Sequence, residues 1–141
     1  MSCKNNDNQK TTREMSAVIK RNSADSGFAW NAAAGLVSSE IPFARSVRFK
    51  GSEYVSSPTT VNLFINNYKG VGTYKIYQGS ALQTDSNSVV VTYAGRNYSS
   101  IAGSVEVIQD NGSSYIGRFE FTAKNLNDTL TVKNGSFNID K

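Results

Sequence analysis

The chain has 141 residues, a net charge of +4, a single cysteine and no histidine. Without histidine it lacks the commonest general base and the commonest metal ligand, and one cysteine excludes internal disulfides and zinc sites built from several cysteines. The basic residues are spread along the chain rather than gathered in a dense stripe, so we expect no nucleic-acid partner. We also expect no metal and no other cofactor.

The only cysteine stands at position 3, in the segment MSCKNNDNQKTT, where no apolar residue follows to pack beside it. Ser2-Cys3 resembles the end of a bacterial lipoprotein signal, in which a small residue precedes the cysteine that is lipidated. We therefore expect Cys3 to carry a lipid, a signal peptide to precede it in the natural precursor, and residues 1–14 to form a flexible tether. This predicts a lipid-anchored protein of the bacterial cell envelope, at the outer membrane, with the leaflet left open. An incidental tail cysteine is the alternative.

Residues 15–141 predict a single all-β domain. Seven Tyr, seven Phe and many Val, Ile and Thr favour strands, and Gly, Asn and Ser punctuate them at short intervals. The candidate strands, in chain order, are MSAVIKR, RSVRFKG, TTVNLFIN, TYKIYQ, SVVVTYAG and YSSIAG, whereas FAWNAAAGLV is ambiguous between helix and strand. Eight to nine strands linked mostly by hairpins indicate an antiparallel β-sandwich. An up-and-down or lipocalin-like β-barrel is the alternative.

The segment LTVKNGSFNI predicts a β-hairpin. Asn134-Gly135 is the strongest signal for a two-residue turn, and such a loop pairs Val132 with Phe137. Leu130 then lies opposite Ile139, so that all the large apolar side chains of the segment share one face. Turn chemistry and hydrophobic pattern agree on a turn at Asn134-Gly135.

The segment GSVEVIQDNGSSYIGRFEFTA predicts a second hairpin, with a three-residue loop at 111–113. In this register Val105 lies opposite Phe119 on the buried face, and Glu106 lies opposite Arg118 on the outer face. A two-residue loop would instead oppose Val105 and Arg118 and mix the faces. We therefore predict that Glu106 and Arg118 form a structural ion pair, which fixes the register rather than performing catalysis.

Several short motifs follow one another in a characteristic order. They are Trp30-Asn31-Ala32, Gly72-Thr73-Tyr74, the Gly-x-Val-x-Ile-like stretch from Gly103 to Ile108, the Gly-x-Phe-x-Phe-Thr-Ala-x-Asn stretch from Gly117 to Asn125, and Asn-Gly-x-Phe from Asn134 to Phe137. In this order the chain, from about residue 15 to its end, resembles a family of small Bacteroidetes lipoproteins of unknown function. The resemblance implies a lipid-anchored envelope location, and it implies no activity and no catalytic residues.

Five tyrosines fall near predicted loops or strand ends and are candidates for a binding surface: Tyr68, Tyr77, Tyr93, Tyr98 and Tyr115. A tyrosine with one polar end suits a protein interface or a sugar-binding surface. Each also fits an ordinary half-buried strand position. A shared exposed face for three or more of them would favour binding.

Two carboxylates support an alternative of another class. Glu106 and Glu120 lie on neighbouring predicted strands, and glycoside hydrolases use two acids about 5–10 Å apart. Arg118 lies between them on the same face and is placed to pair with either carboxylate, whereas a general acid must keep its proton. We therefore predict no catalytic residue.

Taken together, these features predict a non-catalytic, lipid-anchored envelope protein that binds a protein or a glycan. An immunity-type inhibitor of a toxin and a histidine-independent glycoside hydrolase are the alternatives.

Overall fold

The computed structural model describes residues 13–22, 27–32, 36–41, 46–53, 55, 58–78 and 87–141. Cys3 and most of the predicted tether lie outside these residues. The described part contains ten β-strands and no helix. The strands are β1 (Arg13–Arg21), β2 (Phe28–Asn31), β3 (Leu36–Glu40), β4 (Val47–Ser52), β5 (Thr60–Ile65), β6 (Gly72–Ile76), β7 (Ser88–Tyr93), β8 (Arg96–Asp110), β9 (Ser114–Asn125) and β10 (Asp128–Asp140). The predicted all-β fold is confirmed, and in the ambiguous segment the described residues 28–31 and 36–37 lie in β2 and β3.

The strands belong to one antiparallel sheet in the order β2-β1-β10-β9-β8-β7-β5-β4-β3, with β6 also paired to β8. The sheet curls until its opposite parts meet across the core. Phe49 of β4 stacks on Phe137 of β10 with ring centroids 4.6 Å apart, and it meets the ring of Tyr115 edge to face at 5.0 Å. The indole N–H of Trp30 donates a buried 2.9 Å hydrogen bond to the carbonyl of Thr59, which joins β2 to the start of β5. One curled sheet thus provides both layers that a sandwich would need.

Alternation of side chains along each strand separates the core from the outer face. On β9, Tyr115, Phe119, Phe121 and Ala123 point inward and are buried, whereas Arg118 and other even-numbered positions point outward. The same alternation runs through β4, β5 and β7. The core therefore fills the concave face, and the convex face carries the polar side chains.

The hairpin predicted at Asn134-Gly135 is wrong. β10 continues through this dipeptide and pairs with β9 on one side and β1 on the other, with a bulge between Val132 and Gly135. Asn134 adopts the left-handed conformation, with φ 55°. A bulge shifts the side-chain alternation by one position, as a two-residue turn would, so Val132 and Phe137 still share the buried face.

The second predicted hairpin is confirmed. β8 ends at Asp110 and β9 begins at Ser114, which leaves the three-residue loop 111–113. Val105 pairs with Phe119 and Glu106 pairs with Arg118, as the hydrophobic pattern required. Asn111 stabilises the loop, because its side-chain oxygen accepts the backbone N–H groups of residues 113 and 114.

β6 and β7 occupy successive halves of one strand position beside β8, and both run antiparallel to it. The hydroxyl of Ser100 spans the break between them. It donates to the carbonyl of Tyr77 at 2.9 Å and accepts the N–H of Val89 at 3.0 Å. On the other side, the amide of Asn87 donates to the carbonyl of Lys75 at 2.9 Å. These polar side chains replace the ladder bonds that the break removes.

The curled sheet has two ends, which we name by residues. The Arg13 end holds the start of β1, the loop 111–113 and the end of β10. The Asp128 end holds the end of β1, the turn at Ala94-Gly95 and the turn between β9 and β10. The chain therefore enters β1 from the Arg13 end.

Candidate functional site

A depression of about 320 Å³, which we call the outer depression, lies on the convex face of β6, β8, β9 and β10. It is lined by Thr73, Ser104, Glu106, Arg118, Phe119, Glu120, Asn134 and Gly135. A second depression of about 180 Å³ shares Glu120 and continues towards Lys133. Most of the lining side chains are hydrogen-bonding groups, which suits a polar ligand better than an apolar one.

The predicted ion pair crosses the floor of the outer depression. Arg118 Nε lies 2.6 Å from Glu106 Oε1, and the two side chains are 66% and 40% exposed. Exposed pairs of this kind contribute about 0.2–1 kcal/mol to stability. The pair therefore contributes modestly to the β8–β9 register. It also engages one oxygen of the Glu106 carboxylate, which a catalytic role would need.

Glu120 lies beside this ion pair on the same face. It pairs across the strands with Ser104, two residue pairs along from Glu106 and Arg118, which is the next pair on the same face. Glu106 and Glu120 are diagonal neighbours across the two strands, and sheet geometry places the Cα atoms of such neighbours about 7–8 Å apart. Within the described part of the chain, the carboxylate of Glu120 has no ion-pair partner. It remains available to a ligand.

Two of the five predicted tyrosines lie at the Arg13 end. The half-buried ring of Tyr68 stacks on Tyr74 at 5.6 Å and meets Tyr115 edge to face at 6.3 Å. Its hydroxyl donates a 2.6 Å hydrogen bond to Asp110 Oδ2, and Lys141 donates one of the same length to Oδ1. Burial alone would raise the pKa of Asp110, but the bonds from Lys141 and Tyr68 outweigh it and lower that pKa. This cluster fastens the end of β10 to β8.

Two further tyrosines lie at the Asp128 end. Tyr98 is 1% exposed, and its hydroxyl lies 3.3 Å from Asp128 Oδ2. Tyr93 meets the Tyr98 ring edge to face at 6.3 Å and stacks on Phe28 at 5.7 Å. Burial, followed by the charge of Asp128, raises the pKa of Tyr98. Aromatic packing thus runs from the core to the surface of this end.

Tyr77 lies apart from the other four, at the break between β6 and β7. It is 45% exposed, and the ammonium of Lys75 lies 5.4 Å from its ring centroid. Tyr98 and Tyr115 are buried, at 1% and 7% exposure. The structure therefore does not bring the five tyrosines onto one exposed face, so the condition that would have favoured binding through them is not met.

Sequence reasoning missed the charged groups at the two ends. Asp128 accepts hydrogen bonds from Arg21 at 2.9 Å and from Arg96 at 3.4 Å, and Asp110 pairs with Lys141. The hydrogen bond from Arg21 is the main cause that lowers the pKa of Asp128 and raises that of Arg21. No local motif marks these residues. Their common signal is a position at the end of a long strand.

No set of three or more His, Cys, Asp or Glu side chains in the described ranges is arranged to hold a metal ion. The same part of the chain contains no helix of the length and apolarity that a membrane span requires.

Comparison of the chain with models of protein families, with curated proteins and with solved structures found no match. The resemblance to the Bacteroidetes lipoproteins stays a prediction.

Proposed function

We propose that the chain is a non-catalytic, lipid-anchored protein of the bacterial cell envelope that binds a protein or a glycan in the outer depression. The observation that carries the proposal is the grouping of one unpaired carboxylate, Glu120, with hydroxyl and amide side chains around the Glu106–Arg118 ion pair. Such a set offers hydrogen-bond donors and acceptors at fixed positions on a rigid sheet.

The outer depression is held rigidly because it lies in the middle of three long paired strands. β8, β9 and β10 run for 15, 12 and 13 residues, and both neighbours of β9 are strands. A ligand bound here would not have to order a loop, which lowers the entropic cost of binding.

The position of β1 supports the anchored arrangement. A lipid on Cys3 would hold the chain at the Arg13 end, where β1 begins. Nine residues of strand span about 30 Å, so the Asp128 end lies that far from the point where the tether joins the domain. The outer depression, on the side of the sheet, would remain open to envelope partners.

The test is a crosslinking pull-down from native envelopes, with the tagged protein expressed behind its natural signal. We expect one stoichiometric protein or glycan partner, lost in Cys3→Ala because the protein leaves the membrane, and lost in Glu120→Gln because the site is altered. Glu14→Gln is the matched control, since Glu14 is an exposed glutamate on β1, outside the outer depression. Recovery of the partner in equal amounts with Glu120→Gln would contradict the site.

A second candidate function, glycoside hydrolysis, is favoured by one observation. Glu106 and Glu120 line the same depression on one face of neighbouring strands, and glycoside hydrolases use two acids that flank one bond. The ion pair with Arg118 argues against it, because that guanidinium engages one of the two acids. Turnover of an envelope polysaccharide that is abolished in Glu120→Gln, while binding persists, would favour the hydrolase. An immunity-type inhibitor would instead recover a toxin as its protein partner.

A further inference from the structure

A second charged surface lies at the Asp128 end, away from the outer depression. Arg21 at the end of β1 and Arg96 at the start of β8 both reach Oδ2 of Asp128, at 2.9 and 3.4 Å. The two arginine side chains are 50% and 61% exposed, whereas that of Asp128 is 18% exposed. The cations therefore face solvent while their shared carboxylate is largely covered.

The charges of this cluster do not balance. One carboxylate faces two guanidinium groups, which leaves one positive charge over. Asp128 also accepts bonds from Tyr98 and from Asn22, so its capacity as an acceptor is largely taken. Each guanidinium has five N–H donors, and the structure engages one nitrogen of each with Asp128. The remaining donors of Arg21 and Arg96 are free to meet an anion.

An aromatic surface adjoins the arginines. Phe28 and Tyr93 stack with ring centroids 5.7 Å apart and planes inclined by 22°, and Phe28 remains 36% exposed. Tyr93 contacts Tyr98, which reaches Asp128 through its hydroxyl, so the aromatic pair and the charged cluster are contiguous. Aromatic rings with an apolar face and a polar neighbour suit the faces of sugar rings.

We propose that Arg21 and Arg96 bind the carboxylate or phosphate group of an acidic saccharide, whose ring packs against Phe28 and Tyr93. Arginine forks match the planar oxygens of a carboxylate and the tetrahedral oxygens of a phosphate, often with two parallel hydrogen bonds. The geometry commits to an anionic sugar because the free donors and the exposed ring lie at the same end. Asp128 orients both guanidinium groups from below and makes no contact of its own with the ligand.

The test is a titration of the folded domain followed by NMR of backbone amides. Three probes are used: an oligogalacturonate as the carboxylate sugar, a phosphorylated sugar, and the neutral oligosaccharide of the same length. We expect saturable shifts of amides around residues 21, 28, 93 and 96 with one or both acidic probes, and none with the neutral one. Inorganic phosphate alone should bind more weakly, because it lacks the ring.

Variants separate this site from general charge attraction. Arg96→Gln should weaken the binding of the acidic sugar roughly tenfold or more, which is the effect of losing one hydrogen bond from a charged donor. Lys124→Gln is the matched control, because it removes one charge from an exposed lysine on β9 that forms no ion pair with Asp128. Arg96→Gln is preferred to Arg21→Gln, since its longer bond to Asp128 gives it the smaller role in the fold.

Three results would overturn the proposal: no saturable shift with either acidic probe, an equal loss in Arg96→Gln and Lys124→Gln, or full affinity in Arg96→Gln. If Glu120→Gln removes the binding instead, the saccharide occupies the outer depression. In that case the site at the Asp128 end fails and the proposed function stands. A loss confined to Arg96→Gln, with Glu120→Gln unaffected, supports the Asp128 site independently of the outer depression.

Discussion

Gly117 on β9 lies directly opposite Phe137 on β10, and the ring of Phe137 occupies the space that a side chain at position 117 would need. The same relationship recurs two residue pairs along, where Gly135 on β10 lies opposite Phe119 on β9 and its missing side chain leaves room for that ring. Each glycine is covered by an aromatic ring from the next strand. The concave face can therefore curl tightly and still be filled.

A third glycine also lies opposite a phenylalanine, since Gly103 on β8 pairs with Phe121 on β9. Here an added side chain would meet the backbone and Cβ of Phe121 rather than its ring, and the φ of 149° itself favours glycine. These glycines and phenylalanines are the fixed positions of Gly-x-Val-x-Ile, Gly-x-Phe-x-Phe and Asn-Gly-x-Phe. The motifs that suggested a family resemblance thus describe how the concave face packs. Their glycines and phenylalanines shape the fold of this chain, and Phe119, Asn134 and Gly135 also line the outer depression.

Gly117→Ala is expected to destabilise the protein by about 1–3 kcal/mol, the usual cost of overpacking a core. The added methyl group would overlap the Phe137 ring and the backbone carbonyl of Glu106. Urea unfolding, followed by the fluorescence of the single tryptophan, measures the change. Gly112→Ala is the control, because open space surrounds that position. Equal stability of the two variants would show that the ring is free to move aside.

Two Asn-Gly dipeptides lie in the last third of the chain, and the sequence predicted a turn at both. The loop 111–113 is a turn, but β10 passes straight through Asn134-Gly135. Locally the two cannot be told apart, because a two-residue turn and a bulge shift the alternation equally. The segment around Asn134-Gly135 is a bulge rather than a turn because β10 pairs with β9 on one side and with β1 on the other. β1 lies more than one hundred residues away in sequence.

The same limit explains which parts of the candidate sites could be predicted. Glu106 and Arg118 face each other across one hairpin, so counting from the loop was enough to pair them. Arg21 and Asp128 are 107 residues apart, and they meet only because β1 pairs with β10. A sequence pattern indicates which side chains of a strand face the core, but it does not indicate which strand lies beside it. The cluster at the Asp128 end was therefore out of reach.

Ser100→Ala is expected to destabilise the protein by about 1–3 kcal/mol, because it leaves the N–H of Val89 and the carbonyl of Tyr77 without their buried partner. Ser99→Ala serves as the control, since Ser99 is the exposed neighbour on the same strand. Hydrogen exchange at Val89 should rise in Ser100→Ala and stay unchanged in Ser99→Ala. Unchanged protection in both variants would mean that the break between β6 and β7 is held by Asn87 alone.

Leu126 is 88% exposed and has φ 54°, a backbone conformation that costs a leucine roughly 1–2 kcal/mol. Leu126→Asn should therefore raise the thermal midpoint, since asparagine tolerates this conformation and no contact of a buried side chain is lost. Differential scanning calorimetry checks the shift. A lower midpoint would indicate that the leucine makes a stabilising contact despite its exposure.

Acid should weaken the fastening of β10 to β8 through Asp110. The pKa of this carboxyl lies below its ordinary value of 3.8, so in the unfolded chain it takes up a proton at a higher pH than in the folded protein. Its contribution is therefore complete above about pH 4 and is lost as the pH falls through the folded-state pKa. Asp110→Asn should be less stable than the natural protein at neutral pH, and the difference should shrink as the solution is acidified.

At alkaline pH the stability depends on the protonation of Lys141, the ion-pair partner of Asp110. The pKa of Lys141 is raised above 10.5, chiefly by its hydrogen bond to Asp110, so the folded protein keeps that proton longer than the unfolded chain. The stability that the pair provides should then fade as the pH rises through the raised value. Urea unfolding of the natural protein, Asp110→Asn and Lys141→Gln across both limits tests the pair. Asp110 loses its charge in acid and Lys141 loses its charge in alkali, so Asp110→Asn should converge with the natural protein in acid and Lys141→Gln should converge with it in alkali. If the free energy of unfolding of both variants differs from that of the natural protein by the same amount at every pH, the ion pair adds nothing to stability.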